Sequence, residues 1–199
     1  MAAAPMEATD RLLYRAIGNT MHPRLHAAFN HEIRDRAASL FGAAPDDLVN
    51  LGGFENFVYE FTSANDDDFV LRISHSARRT EDYTRGEIEW VLDLENHGMP
   101  VARPIVSTRG RHVERVDLDE QEYFVVTAFE RAPGEVLEDT PALRKLHWNG
   151  DLFRQWGHIV GQLHAAAVDY QPSEPTIRRA EWFEYDVVDA SRLVPVDET

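Results

Sequence analysis

Between residues 23 and 41 the apolar side chains Leu25, Phe29, Ile33, Ala37 and Leu40 recur at intervals of four, four, four and three. That spacing gathers them on one face of a helix, which Gly42 closes. Asp46 and Asp47 then lead into Leu48-Val49-Asn50-Leu51, a short strand that runs into the pair Gly52-Gly53. Phe57, Tyr59 and Phe61 alternate with Val58 and Glu60, the period of a second strand. Asn65 to Asp68 supply turn chemistry before a third, Phe69 to Ile73, so the pair reads as an antiparallel hairpin. From Thr80 to His97 the period changes: Ile88, Val91, Leu92 and Leu94 fall at helical spacing, with Glu81 and Asp82 in the first turn and Gly98 and Pro100 after the last. Further strands follow at Ile105 to Ser107, His112 to Val116 and Glu122 to Phe129, separated by Arg109-Gly110 and by Asp117 to Gln121. After Pro133-Gly134 the pattern is helical, with a helix that starts at Asp151 or a neighbour and runs to about Val168. The pattern predicts an α+β fold: an antiparallel sheet of about five strands with one main helix, joined near Gly134 to the first helices of a helical lobe. The tail beyond Asp189 is expected to be loosely held.

Composition narrows the classes. With 199 residues, 43% of them hydrophobic, the chain can bury one sizeable core or two small ones. It has no cysteine, which excludes a disulfide framework, a thiolate metal site and a cysteine nucleophile. No apolar run is long enough to span a bilayer, and the first residues lack the basic flank and apolar stretch of a signal peptide, so the expectation is a cytoplasmic protein with no membrane partner. The net charge of −15 opposes binding to a nucleic-acid backbone. An acidic surface serves solubility, or draws cationic substrates such as amino sugars.

The candidate chemistry lies in the order of short segments. Gly52 and Gly53 permit backbone conformations and close approach that a side chain would block, so amides of that turn could face phosphate oxygens, although an ordinary tight turn also uses such a pair. Arg72 stands between Leu71 and Ile73 and points away from both, as a phosphate-binding cation or a surface residue would. Glu87 and Glu89 lie roughly 200° apart around one helix, so only one can face such a cation. Glu87 sits at the edge of the apolar face and is the better placed, while Glu89 falls toward solvent.

Taken together, residues from about 40 to 185 resemble the aminoglycoside phosphotransferase family, a broad group of kinase-like enzymes that includes homoserine, choline and fructosamine kinases. The supporting stretches are 51 to 61, 70 to 73, the Glu87 helix ending in Gly98-Met99-Pro100-Val101, 123 to 134, and 157 to 164. The match is to the family's first half. The resemblance implies ATP or another nucleoside triphosphate with Mg2+ as cofactors, and a small-molecule hydroxyl as acceptor in the complete protein. It implies that Gly52, Gly53, Phe54 and Asn56 form the turn over the phosphates, that Arg72 takes the place of the family's strand lysine, and that Glu87 positions it. Phe129, Glu130 and Ala132 would form the linker whose backbone meets the adenine edge, though a plain strand-to-helix loop would look the same.

The residues of catalysis itself are not found. His147 to Asp151 contains the letters of a catalytic loop, but it precedes the helix that such a loop should follow, and Trp156 stands where its asparagine would be. Asp151 is expected to be a helix N-cap instead. The cluster His22, His26 and His31 lacks a carboxylate partner set for zinc, and His164 is expected to make a structural hydrogen bond on a buried helix. The domain reading is a helical extension over residues 1–45, a nucleotide-binding lobe over 46–133, and over 134–199 the start of a helical lobe truncated before the catalytic loop. On this reading the chain is a phosphotransferase half that binds nucleotide without catalysing transfer, and the alternative is a non-catalytic nucleotide-binding or interaction module. The face around Leu163, Ala166 and Ala167 is the expected site of homodimer contact.

Overall fold

The computed structural model describes residues 23–53, 56–134 and 148–179. Phe54, His22, His147 and the tail beyond Asp189 lie outside the described residues. The first helical pattern is two helices, α1 (Pro23–Ala28) and α2 (His31–Leu40). The break has a local cause. Asn30 is extended, with φ −142° and ψ 178°, and its side-chain oxygen accepts the Ile33 N–H at 3.0 Å, so it caps α2 instead of continuing α1.

Six strands form a single sheet: β1 (Val49–Gly52), β2 (Phe57–Thr62), β3 (Asp68–His75), β4 (Pro104–Ile105), β5 (Glu114–Asp117) and β6 (Tyr123–Glu130). The order is β1-β2-β3-β6-β4, with β5 also paired to β6, and every pairing is antiparallel. β4 is shorter than its apolar run suggests, because Ser107 turns back, its N–H donating to Arg111 O at 2.7 Å and its hydroxyl to the buried Glu114 carboxylate. That leaves Val106 more than half exposed.

Alternation gives the sheet two different faces. Leu71, Ile73, Phe124, Val126 and Ala128 point to one side and form the main core with Ile33, Ala37 and Leu40 of α2. Val125 points to the other side and packs with Ile88 of helix α3 (Glu81–Asn96) and with Val113. The sheet is therefore covered by a helix on each face, α3 on one and α2 of the N-terminal extension on the other. Thr80 caps α3 by accepting the Tyr83 N–H, and Glu81 and Asp82 in its first turn favour the positive end of the helix dipole.

Beyond the linker, helix α4 (Gly150–Val168) is capped by Asn149, whose side chain accepts the N–H groups of Asp151 and Leu152. Asp151 is thus a first-turn residue and not the cap. No residue of α4 is buried, so His164 is exposed, contrary to the structural role its setting suggested. Leu163 and Ala166 are half-buried, while Phe153, Trp156, Ile159 and Val160 are the large apolar side chains in solvent.

Candidate functional site

The site is organised by β3, whose register decides what its outward side chains meet. Arg72 pairs across the sheet with Val58 on one side and Thr127 on the other, on the face covered by α3. Its guanidinium meets Glu87 through two bonds, Nη1 to Oε1 at 2.8 Å and Nη2 to Oε2 at 3.2 Å. This is the two-pronged geometry that only arginine can make with a carboxylate. The guanidinium also lies 5.1 Å from the centre of the Phe129 ring, which braces it from β6. Both partners are largely shielded, with side-chain exposures of 16% for Arg72 and 20% for Glu87.

Arg79, in the loop before α3, donates to the same carboxylate, Nη1 to Oε2 at 2.7 Å. The sequence reading missed this second cation. Its only sign was the pair Arg78-Arg79 just ahead of a helix cap, and nothing in the letters says which arginine turns inward. Burial raises the Glu87 pKa, but the hydrogen bond and charge of Arg72, with the charges of Arg79 and Arg179, outweigh it and hold the group below the ordinary glutamate range. Three guanidiniums thus act on one carboxylate in a chain of net charge −15.

The glycine turn has conformational reasons for both glycines. Gly52 has φ +81° and Gly53 φ +140°, and a Cβ on Gly53 would stand 2.0 Å from Asn56 O. The Asn50 side chain accepts the Gly52 N–H at 2.7 Å, beside an irregularity in the β1–β2 register. At the far end of the turn Asn56 Oδ1 accepts the Ser74 hydroxyl at 2.6 Å. The turn is thereby tied to β3 two residues beyond Arg72.

In the linker, two amides are already engaged: Glu130 N–H donates to Arg103 O at 2.8 Å and Arg131 N–H to Asp68 O at 3.0 Å. Pro133 has no N–H, so Ala132 carries the linker donor that has no hydrogen bond among the described residues. Phe129 and Glu130 lie in β6 itself. Glu89 lies toward solvent as expected, half-buried and partnered. Its two carboxylate oxygens accept the hydroxyl and the N–H of Ser173, at 2.8 and 3.2 Å.

The residues fit a nucleotide on two observations. Arg72 Nε is buried with no hydrogen-bond partner, so the guanidinium keeps an unused donor beside its bonds to Glu87. The Gly53 backbone lies where no side chain can stand. Among the described residues no group of three or more His, Cys, Asp or Glu could hold a metal ion. No helix among the described residues is long and apolar enough to cross a membrane.

The family model "Phosphotransferase enzyme family" (APH) matches residues 48–198. Amicoumacin kinase of Bacillus subtilis (strain 168) is 32% identical over 179 residues, covering 89% of this chain and 51% of the relative. An uncharacterized protein of Synechocystis sp. is 32% identical over 111 residues, 54% of this chain and 27% of its own. Among solved structures, amicoumacin kinase hAmiN in complex with AMP-PNP, Ca2+ and Ami superposes with a TM-score of 0.77 at 31% identity, covering 89% of this chain and 52% of that one. A microcompartment-associated aminopropanol kinase has the same fold, with a TM-score of 0.60 at 20% identity over 82% of this chain and 48% of its own. The chain spans about half the length of amicoumacin kinase. With the family model matched across most of its length, the chain belongs to the phosphotransferase enzyme family.

Proposed function

We propose that this chain is the nucleotide-binding half of an ATP-dependent small-molecule phosphotransferase. The observation that carries the reading is the two-pronged Arg72–Glu87 pair, because it fixes a guanidinium while leaving its buried Nε–H unused. A phosphate oxygen is the partner that donor suits. The Gly52-Gly53 turn would cover the phosphates with backbone amides, with Asn56 anchoring the turn to Ser74. The Ala132 amide would meet the base edge. The amicoumacin kinase relatives support a small-molecule acceptor, and amicoumacin is the first to try. When bound, Mg2+ would neutralise phosphate charge.

Positioning and charge neutralisation supply nearly all of the catalysis in phosphoryl transfer. No described residue stands as a base for the acceptor hydroxyl, so this chain alone should bind nucleotide and transfer phosphate slowly or not at all. Calorimetry with ATP and Mg2+ on the chain and on Arg72→Ala tests the first half, and a phosphate-release assay tests the second. Binding lost in Arg72→Ala supports the reading. No binding by the parent at millimolar ATP would favour a non-catalytic interaction module, and rapid turnover abolished in Asp151→Asn would restore a catalytic role to the segment before α4.

A further inference from the structure

Helix α3 carries two contact faces besides the one that packs on the sheet. Glu87 faces Arg72, while Gly86, Glu89, Trp90 and Asp93, at the i, i+3, i+4 and i+7 spacing of a single stripe, face a different neighbour. That neighbour is the segment after α4. Ser173 donates both its hydroxyl and its N–H to Glu89. The Arg178 backbone crosses over Gly86 so closely that a Cβ there would stand 2.4 Å from the Arg178 carbonyl carbon. The Arg179 guanidinium lies 4.2 Å from the centre of the Trp90 ring. Ile177 is only 3% exposed, and its N–H closes a turn onto Glu174 O. Between them, Arg179, Trp90, Tyr83, Arg79 and Glu87 border a cavity of about 160 Å³.

Gly86 is the informative residue. A glycine inside a helix is a poor helix former, so a close approach is what gives it a reason here. The contacts of the segment with Gly86, Glu89 and Trp90 all lie within three residues of Glu87.

We propose that the segment from Tyr170 to Arg179 is a positioning strap. By gripping Gly86, Glu89 and Trp90 it sets where α3 holds the Glu87 carboxylate, and so ties the phosphate-facing Arg72 to the chain beyond the linker. The inference rests on the nucleotide reading above for its consequence, though not for its geometry. Arg179 adds its charge beside Glu87, while Ser173 and Arg178 act on it through their contacts with α3. Movement of the strap would swing Glu87 and change how its carboxylate is shared between Arg72 and Arg79.

The test is Gly86→Ala in the full chain, read by ATP calorimetry, thermal unfolding and hydrogen exchange. The expected result is ATP affinity weakened about 5- to 10-fold, in the range of site-to-site couplings, with faster exchange at the Ser173 and Ile177 amides. Alanine is the better helix former, so a glycine without this role would give an unchanged or raised Tm, unchanged strap exchange and unchanged ATP affinity. That result overturns the proposal. Ser173→Ala removes one hydrogen bond and adds no bulk, and a smaller change in the same direction is expected even if Gly86→Ala fails to fold. Arg72→Ala, run in parallel, separates the two ideas. If the parent binds no ATP the functional reading falls, and exchange along α3 decides the strap: faster from Gly86 to Val91 in the variant upholds it, and no change sinks it.

Discussion

Arg72, Arg79 and Arg179 all favour the ionised form of Glu87, and its ionisation is where their contribution can be measured. Its folded-state pKa lies below an unfolded value of about 4.3, so the ion pairs contribute fully above that pH. The contribution is lost as the pH falls through the folded-state pKa. Glu87→Gln is therefore expected to cost about 1.5–3 kcal/mol at neutral pH, the range for hydrogen bonds to charged groups. The gap to the parent should close in acid. Urea unfolding across that range checks it, and a gap independent of pH would show that the pairing to Arg72 and Arg79 contributes nothing. The two glycines make a sharper comparison at the same scale. Gly52→Ala meets open space and only the strain of φ +81°, about 1–2 kcal/mol. Gly53→Ala adds a Cβ at 2.0 Å from a backbone oxygen, so the turn itself must move, and its loss of stability and of ATP affinity should exceed that of Gly52→Ala. Equal losses in the pair would mean that the Gly53 approach is not what the turn depends on.

At the scale of elements, α2 belongs with the sheet, since Ile33, Ala37 and Leu40 share a core with Leu71, Ile73 and Phe124. A chain begun at Asp46 would strip one face of the sheet. It is expected to lose the cooperative thermal unfolding of the full chain; a folded, cooperative product from the shorter chain would show that α2 is dispensable. The strands and α3 were legible because their periods are long and clean, as in Phe57-Tyr59-Phe61 and Ile88-Val91-Leu92. The break at Asn30 was not, because an asparagine inside an apolar repeat looks the same whether it caps or continues a helix. The core partner of α2 was hidden for another reason: a helical stripe says that a face is buried, not against what. Arg72 and Glu87 could be paired from spacing and resemblance, yet Arg79 and Ser173 could not, since the contact of Ser173 with Glu89 spans 84 residues. Gly86 was the one letter that hinted at it, as a glycine in the middle of a helical pattern.

For the whole molecule, the distribution of charge and of apolar surface points in two directions. The net charge of −15 keeps copies apart. Against it stands α4, where Trp148, Phe153 and Trp156 gather with ring centres 5.8 and 6.5 Å from Trp148, and Phe153, Trp156, Ile159 and Val160 are all exposed. The candidate contact surface is therefore this aromatic face, and not the one around Leu163 and Ala166, which are half-buried. A contiguous apolar patch on a two-turn stretch is the kind of surface that a second copy can cover. Self-association through α4 is accordingly expected, and because like charge opposes it, salt should strengthen it by screening over about 10 Å at 0.1 M. Light scattering at rising protein and salt concentrations measures this. Trp156→Glu should return the chain to a monomer without changing the Arg72–Glu87 site, which lies on the sheet and α3. A parent that stays monomeric at high concentration and high salt would show that the charge outweighs the aromatic face, and an associated Trp156→Glu variant would place the contact elsewhere on the molecule.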